Sequence, residues 1–141
     1  KVTGLSKLQH QEVDTLSGGQ RQRAWIAMAL AQETDLLLLD EPTTYLDLAH
    51  QMEILQLLNQ LNHEEGRTIV MVIHDLNHAA RFAHHIVAMR DGAIIKEGNA
   101  NEVICSDILQ QVFQIDALVL KDPRTEKPAV ISYELISQDK R

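Results

Sequence analysis

An α/β fold, with parallel strands flanked by helices, is what the order of apolar segments in this chain predicts. Three observations carry that expectation. Leu36 to Leu39 is an unbroken run of leucines, and Thr68 to Ile73 (TIVMVI) is apolar and β-branched. Neither alternates with polar residues, so each reads as a strand covered on both faces in a parallel sheet. Between them, Leu48 to Asn62 repeats Leu48, Met52, Leu55 and Leu58 at three- and four-residue steps, which makes the unit strand, helix, strand.

The remaining elements follow in chain order. Gln20 to Gln32 holds neither Gly nor Pro and places Ala24, Met28 and Ala31 on one face beside Trp25 and Ala29, which predicts a helix starting at Ser17-Gly18-Gly19. Asp40 and Glu41 then stand at the carboxyl end of the leucine strand, the end at which open α/β sheets bind ligands, and Pro42 stops that strand. Asp47 is placed to cap the next helix, and Glu64-Glu65-Gly66 closes it. The strand over Thr68 to Ile73 delivers His74-Asp75 to the same edge as Asp40-Glu41 if the sheet is parallel. A third helix is expected over Leu76 to His84, and Ile86 to Arg90 and Ala93 to Glu97 flank Asp91-Gly92, a hairpin signal. Asn101 to Gln114 reads as one amphipathic helix through Val103, Ile104, Ile108, Leu109 and Val112. Ala117 to Leu120 and Ala129 to Leu135 flank DPRTEKP as a terminal hairpin, and Ser137 to Arg141 is expected to fray.

Composition bounds the function. A chain of 141 residues is the size of one domain, and 45% hydrophobic with 23% charged residues excludes disordered and fibrous classes. The net charge of -7, from 20 acidic against 13 basic residues, argues against nucleic acid as a partner. No apolar run approaches the roughly 20 residues of a spanning helix. Cys105 is the sole cysteine, so no intrachain disulfide forms, which fits a reducing compartment. The opening residues KVTGLSKLQHQEV show no signal or transit peptide and no initiator methionine, as though the sequence were cut from something longer.

Leu16 to Gln20 reads LSGGQ, Leu36 to Pro42 reads LLLLDEP, and TTYLD completes the run at Asp47. Together these strings point to an ATPase. Gly18 and Gly19 let backbone amides approach an anion, the helix behind them adds the positive end of its dipole, and Ser17 adds a hydroxyl. Standing alone, Ser-Gly-Gly is more often a plain helix cap. Asp40 and Glu41 are adjacent like charges that a magnesium ion would offset; a bare acidic pair after a strand is commonly a solvated turn. His74 is suited to contact a terminal phosphate, although a single histidine is usually packing or surface. His78, His84 and His85 read as an exposed helix face, and Tyr45 and Trp25 as packing residues. The G-x-x-x-x-G-K-[ST] loop that wraps nucleotide phosphates occurs nowhere in the 141 residues.

LSGGQ, LLLLDEP, TTYLD and VIHD, in this order and spacing, resemble the ATP-binding subunit of ABC transporters. The resemblance implies a RecA-like P-loop NTPase core with a helical subdomain, of which this chain is the carboxyl-terminal half. Residues 1–33 would end the helical subdomain with its signature motif, 34–98 carry the Walker B, D-loop and H-loop core, and 99–141 form a carboxyl-terminal helix and hairpin. By the same resemblance Ser17, Gly18, Gly19 and Gln20 form the signature loop that binds ATP, Asp40 reaches Mg2+ through water, and Glu41 is the general base. Asp47 belongs to the D-loop and His74 is the switch histidine.

TTYLDLAHQ, HDLNHAARFAHHIVAMRDG and DPRTEKP further resemble ATPases of bacterial iron-siderophore, haem and cobalamin importers. The partners implied are a second ATPase subunit in a homodimer, membrane permease subunits, and a periplasmic or lipoprotein substrate-binding protein, at the cytoplasmic face of the plasma membrane. Lacking the Walker A lysine and the Q-loop, the 141 residues by themselves are expected to hydrolyse ATP negligibly, and absent neighbouring strands would leave apolar edges exposed. Two other readings stand beside this one: a soluble ABC-type ATPase of DNA repair or translation, and an inactive half-domain that acts only by association.

Overall fold

Local signals set most element boundaries. The computed structural model describes residues 3–136; the fray expected at Ser137 to Arg141 lies outside them. After two short 3₁₀ turns at Ser6–Leu8 and Val13–Thr15, Ser17 caps helix α1, Gly18–Leu30. Its hydroxyl accepts from the Gln20 amide while the Gln20 side chain accepts from the Ser17 amide, a reciprocal capping box. Strand β1 follows at Leu36–Asp40. Asp47 caps α2, Leu48–Glu65, and Gly66 ends it in the left-handed conformation, φ 67°, which a residue without Cβ adopts freely. Strand β2 is Thr68–Val72.

The chain divides into two units, one ending at Ile73 and the other beginning at His74. In the first, β1 and β2 pair in parallel with Leu36 opposite Thr68 and Asp40 opposite Val72. Ile26, Leu37, Ile54, Leu57, Leu58 and Leu61 form its core, with Ala29, Leu39, Ile69 and Met71 packed against them. An ion pair between Arg23 and Glu53 also joins α1 to α2.

In the second unit, Asp75 caps α3, Leu76–Phe82, and β3, Ile86–Arg90, pairs antiparallel with β4, Ala93–Gly98. Asp91 and Gly92 both have positive φ, 51° and 78°, the twist that suits a two-residue hairpin. Helices α4, Ala100–Val103, and α5, Ser106–Phe113, lead to the antiparallel pair β5, Ile115–Lys121, and β6, Pro128–Leu135. Asp122 ties the intervening turn: its carboxylate accepts from the Arg124 amide at 2.9 Å and the Thr125 hydroxyl at 2.8 Å. Those bonds, the Arg124 amide first, hold its pKa below the ordinary value. Ala80, Ala100, Ile104, Leu109, Ile115, Ala117 and Val130 make the core.

Four expectations are corrected. The strands of the first unit are covered on one face only, since Leu36, Leu38, Val70 and Val72 are exposed while Leu37 is buried. Trp25 and Tyr45 are exposed instead of packed, Tyr45 fully so with φ 65°. The buried side of α1 runs through Ile26, and Met28 is exposed; Leu48 likewise lies outside the core of α2. Finally, Asn101 to Gln114 is two helices. Asn99 and Glu102 form a capping box that starts α4 early, and Ile104 and Cys105 leave helical geometry (ψ 71° and 156°), with Val103 and Ile104 both buried.

Candidate functional site

The first unit assembles two of the predicted segments from its own elements. At the start of α1, Gly19 is buried and Ser17 and Gly18 are exposed, so the capped helix start presents the hydroxyl-bearing residue and one glycine to solvent. Backbone amides unpaired at a helix start, together with the helix dipole, favour an anion there.

Gly19 has a second reason to be glycine. A Cβ on Gly19 would lie 2.5 Å from Cδ2 of His50 and 3.1 Å from its Cγ, and one on Gly18 would lie 3.4 Å from Leu46 Cδ2. The glycine pair therefore packs on the residues flanking Asp47, and the first of these approaches leaves no room for a side chain.

Asp47 accepts from the His50 amide at 2.9 Å and bonds Nδ1 of the same ring at 2.8 Å. The amide bond first and the ring bond second hold the Asp47 carboxyl below its ordinary pKa. Gln51 Nε2 donates to the Leu46 carbonyl at 2.8 Å, fixing the loop before the cap. His50 was not singled out by sequence reasoning; its place three residues after an acidic cap was the available signal.

The acidic pair sits where the strand order predicted. Asp40 is the last residue of β1 and is exposed, and Glu41 leaves the strand with φ 46°, a region that non-glycine residues seldom occupy. Thr44 holds the turn, its hydroxyl donating to Glu41 Oε2 at 2.9 Å and its amide to the Glu41 carbonyl at 3.1 Å. Pro42 and Thr43 are buried beneath it. Asp40 also lines an open cleft of ≈ 430 Å³ with Trp25, Met28 and Leu38.

Magnesium keeps several waters and takes one or two carboxylates along with substrate phosphates. An exposed Asp40 beside Glu41 matches that donor chemistry, and among the described residues no cluster of three or more His, Cys, Asp or Glu forms a protein-only cage.

His74 opens the second unit. It is exposed and lines an open cleft of ≈ 580 Å³ with Asp75, Asn77, Phe113, Val130 and Tyr133. Asp75 accepts from the His78 amide at 2.7 Å, and Asn77 exchanges two hydrogen bonds with the backbone of Val130, at 2.7 and 3.1 Å. The backbone immediately after His74 is thus fixed by a helix cap. His78 is mostly buried on α3, while His84 and His85 are exposed beyond its end, so the three do not form the single exposed helix face expected of them. Among the described residues no helix is long and apolar enough to cross a membrane.

Residues 1–44 match the ABC transporter family. The chain is 65% identical over 138 residues to "Iron(3+)-hydroxamate import ATP-binding protein FhuC" of Bacillus subtilis (strain 168), covering 98% of this chain and 51% of that protein. It is 48% identical to "Ferric enterobactin transport ATP-binding protein FepC" of Escherichia coli (strain K12), over 93% of this chain and 48% of that one. Among solved structures, an ABC transporter in an inward-facing conformation superposes with a TM-score of 0.80 at 30% identity, covering 96% of this chain and 53% of its own. The chain thus spans about half the length of the relatives it matches, and its fold is that of part of an ABC ATPase domain.

Proposed function

We propose that this chain, similar along nearly its whole length to ABC-transporter ATP-binding proteins, is the carboxyl-terminal half of a transport ATPase, supplying the lid and the base while the phosphate grip lies elsewhere. The observation that carries the reading is the acidic pair at the carboxyl end of a parallel strand, preceded in the same unit by a capped Ser-Gly-Gly helix start.

In this reading Ser17, Gly18, Gly19 and Gln20 receive the terminal phosphates of an ATP held by the second subunit, through amides and the helix dipole. Glu41 takes a proton from the attacking water. Its turn, fixed by Thr44, keeps the carboxylate aimed without a costly search of rotamers. Asp40 would hold Mg2+ through water, and the ion would supply positive charge to neutralise the phosphate oxygens. His74 contacts the terminal phosphate and reports its presence, and Asp47 serves at the boundary between subunits. Residues 1–33, 34–98 and 99–141 are then the end of the helical subdomain, the Walker B to H-loop core, and the terminal helices and hairpin.

The named cargoes of the similar proteins, an iron(3+)-hydroxamate and ferric enterobactin, support an iron-siderophore importer as the machine. Its other parts are a second copy of the ATPase, permease subunits and an external binding protein, with this subunit peripheral at the cytoplasmic face.

The test is ATP turnover by the full-length subunit that contains this sequence. Glu41→Gln should lower magnesium-dependent turnover by about 10²–10⁴-fold, the range typical of a lost general base, while nucleotide binding persists. Unchanged turnover removes Glu41 from the chemistry. The 141 residues by themselves should show negligible hydrolysis, and a magnesium-dependent rate abolished by Glu41→Gln would refute that.

A further inference from the structure

We propose that His50 is a positioning residue that locks the helix start at Ser17–Gln20 to the carboxylate of Asp47, so that the two segments move as one. The inference rests on the reading of those segments as parts of one ATPase, but the coupling itself is visible without nucleotide.

His50 touches both sides. Toward α2 its amide and its Nδ1 hold the two oxygens of Asp47, at 2.9 and 2.8 Å. Toward α1 the Cβ, Cγ and Cδ2 atoms of the same side chain occupy the space that a Cβ on Gly19 would need, 3.4, 3.1 and 2.5 Å from it. Leu46, on the other side of Asp47, faces Gly18 at an ordinary van der Waals distance, 3.4 Å from where a Cβ would stand. The ring is therefore confined between an acid that fixes its orientation and a glycine whose bareness admits it. Arg23 and Glu53, the charged residues that bridge the same two helices further along, are paired with each other.

Because the His50–Asp47 pair is largely exposed, its contribution to stability is small. Its consequence is geometric. A shift of the α1 start toward the ring would displace it, and a displaced ring would alter its Nδ1 bond to Asp47. Asp47 held below its ordinary pKa, partly by the ring, makes that displacement measurable from a distance.

The experiment is a carboxyl NMR titration of the isotope-labelled chain. In unmodified protein the midpoint of Asp47 lies below that of an ordinary carboxylate. His50→Ala should raise it part of the way, because the amide bond at position 50 persists. Gly19→Ala, which touches no atom of Asp47, should raise it too, and should add nothing in the His50→Ala background. An Asp47 midpoint unmoved by Gly19→Ala, or effects that add in the double variant, would overturn the proposal.

Should Gly19→Ala fail to fold, His50→Ala answers. The Gly19 amide resonance should shift when the ring is removed, and an amide that stays still overturns the coupling. Loss of the ATPase reading would appear separately, as turnover in the full-length subunit that is indifferent to Glu41→Gln, and would leave these titrations as they are.

Discussion

Asp122 and Asp47 show how single carboxylates hold this chain's turns and caps. Each accepts backbone and side-chain hydrogen bonds and has a pKa below the ordinary value. A depressed pKa in the folded state means that the ionised, bonded form stabilises the fold. That contribution is complete above the unfolded value, roughly 3.9, and disappears as the pH falls through the lower folded value. Asp122→Ala should therefore lower the thermal midpoint at neutral pH, and the gap to the unmodified chain should close as the pH drops through that window. A gap constant with pH would show that the carboxylate charge is irrelevant. At this scale the sequence was informative wherever a side chain bonds its own neighbourhood. Ser17 and Asp47 were legible because a cap is a contact three residues long, whereas the cap that Asp75 gives α3 was not read. Thr44 on Glu41 and the ring of His50 against Gly19 were not read, the first because a threonine in a turn is unremarkable, the second because it joins residues some thirty positions apart.

Helices and strands obey the same division. Ile54 is fully buried in α2, while Leu48, the first residue of the predicted apolar pattern, is exposed. Ile54→Ala should destabilise the first unit by about 2–5 kcal/mol, and Leu48→Ala by no more than about 0.5 kcal/mol, measured by denaturant unfolding. Gly66→Ala meets no atom within 4 Å but keeps φ 67°, so its cost is purely conformational, about 1 kcal/mol. Element type was readable from periodicity: the strand, helix, strand order, the Asp91-Gly92 hairpin and the terminal hairpin all stand. Which residues of α1 face the core was not, because Met28 and Ile26 are equally apolar and only packing against Leu37 and Ile54 distinguishes them. The break at Ile104-Cys105 carries no Gly or Pro. The capping box at Asn99 starts one helix there, and the extended Cys105 starts a second at Ser106.

At the scale of the whole molecule, the decisive feature is that each of the three sheets among the described residues has two strands. A two-stranded sheet is marginal without packing on a face, and in the first unit that packing comes from one side. Leu38 is 72% exposed, with Leu36, Val70 and Val72 on the same uncovered side. A contiguous apolar strip on a short sheet favours association. The chain should scatter light increasingly with concentration, and Leu38→Lys together with Val70→Lys should suppress this while leaving helix content unchanged. If scattering persists in the doubly substituted chain, the strip is not its cause.

By itself the sequence determined the order of the strands and first helices, the caps at Ser17 and Asp47, and the arrival of an acidic pair at the end of an apolar strand. These depend on periods and contacts only a few residues long, and the physics that reads them is local. Tertiary structure alone decided that one face of the leucine strand lies open, that Trp25 and Tyr45 face solvent, and that His50 fills the space Gly19 leaves. Burial and close approach are settled by partners distant in the chain, and no local pattern records whether such a partner is present.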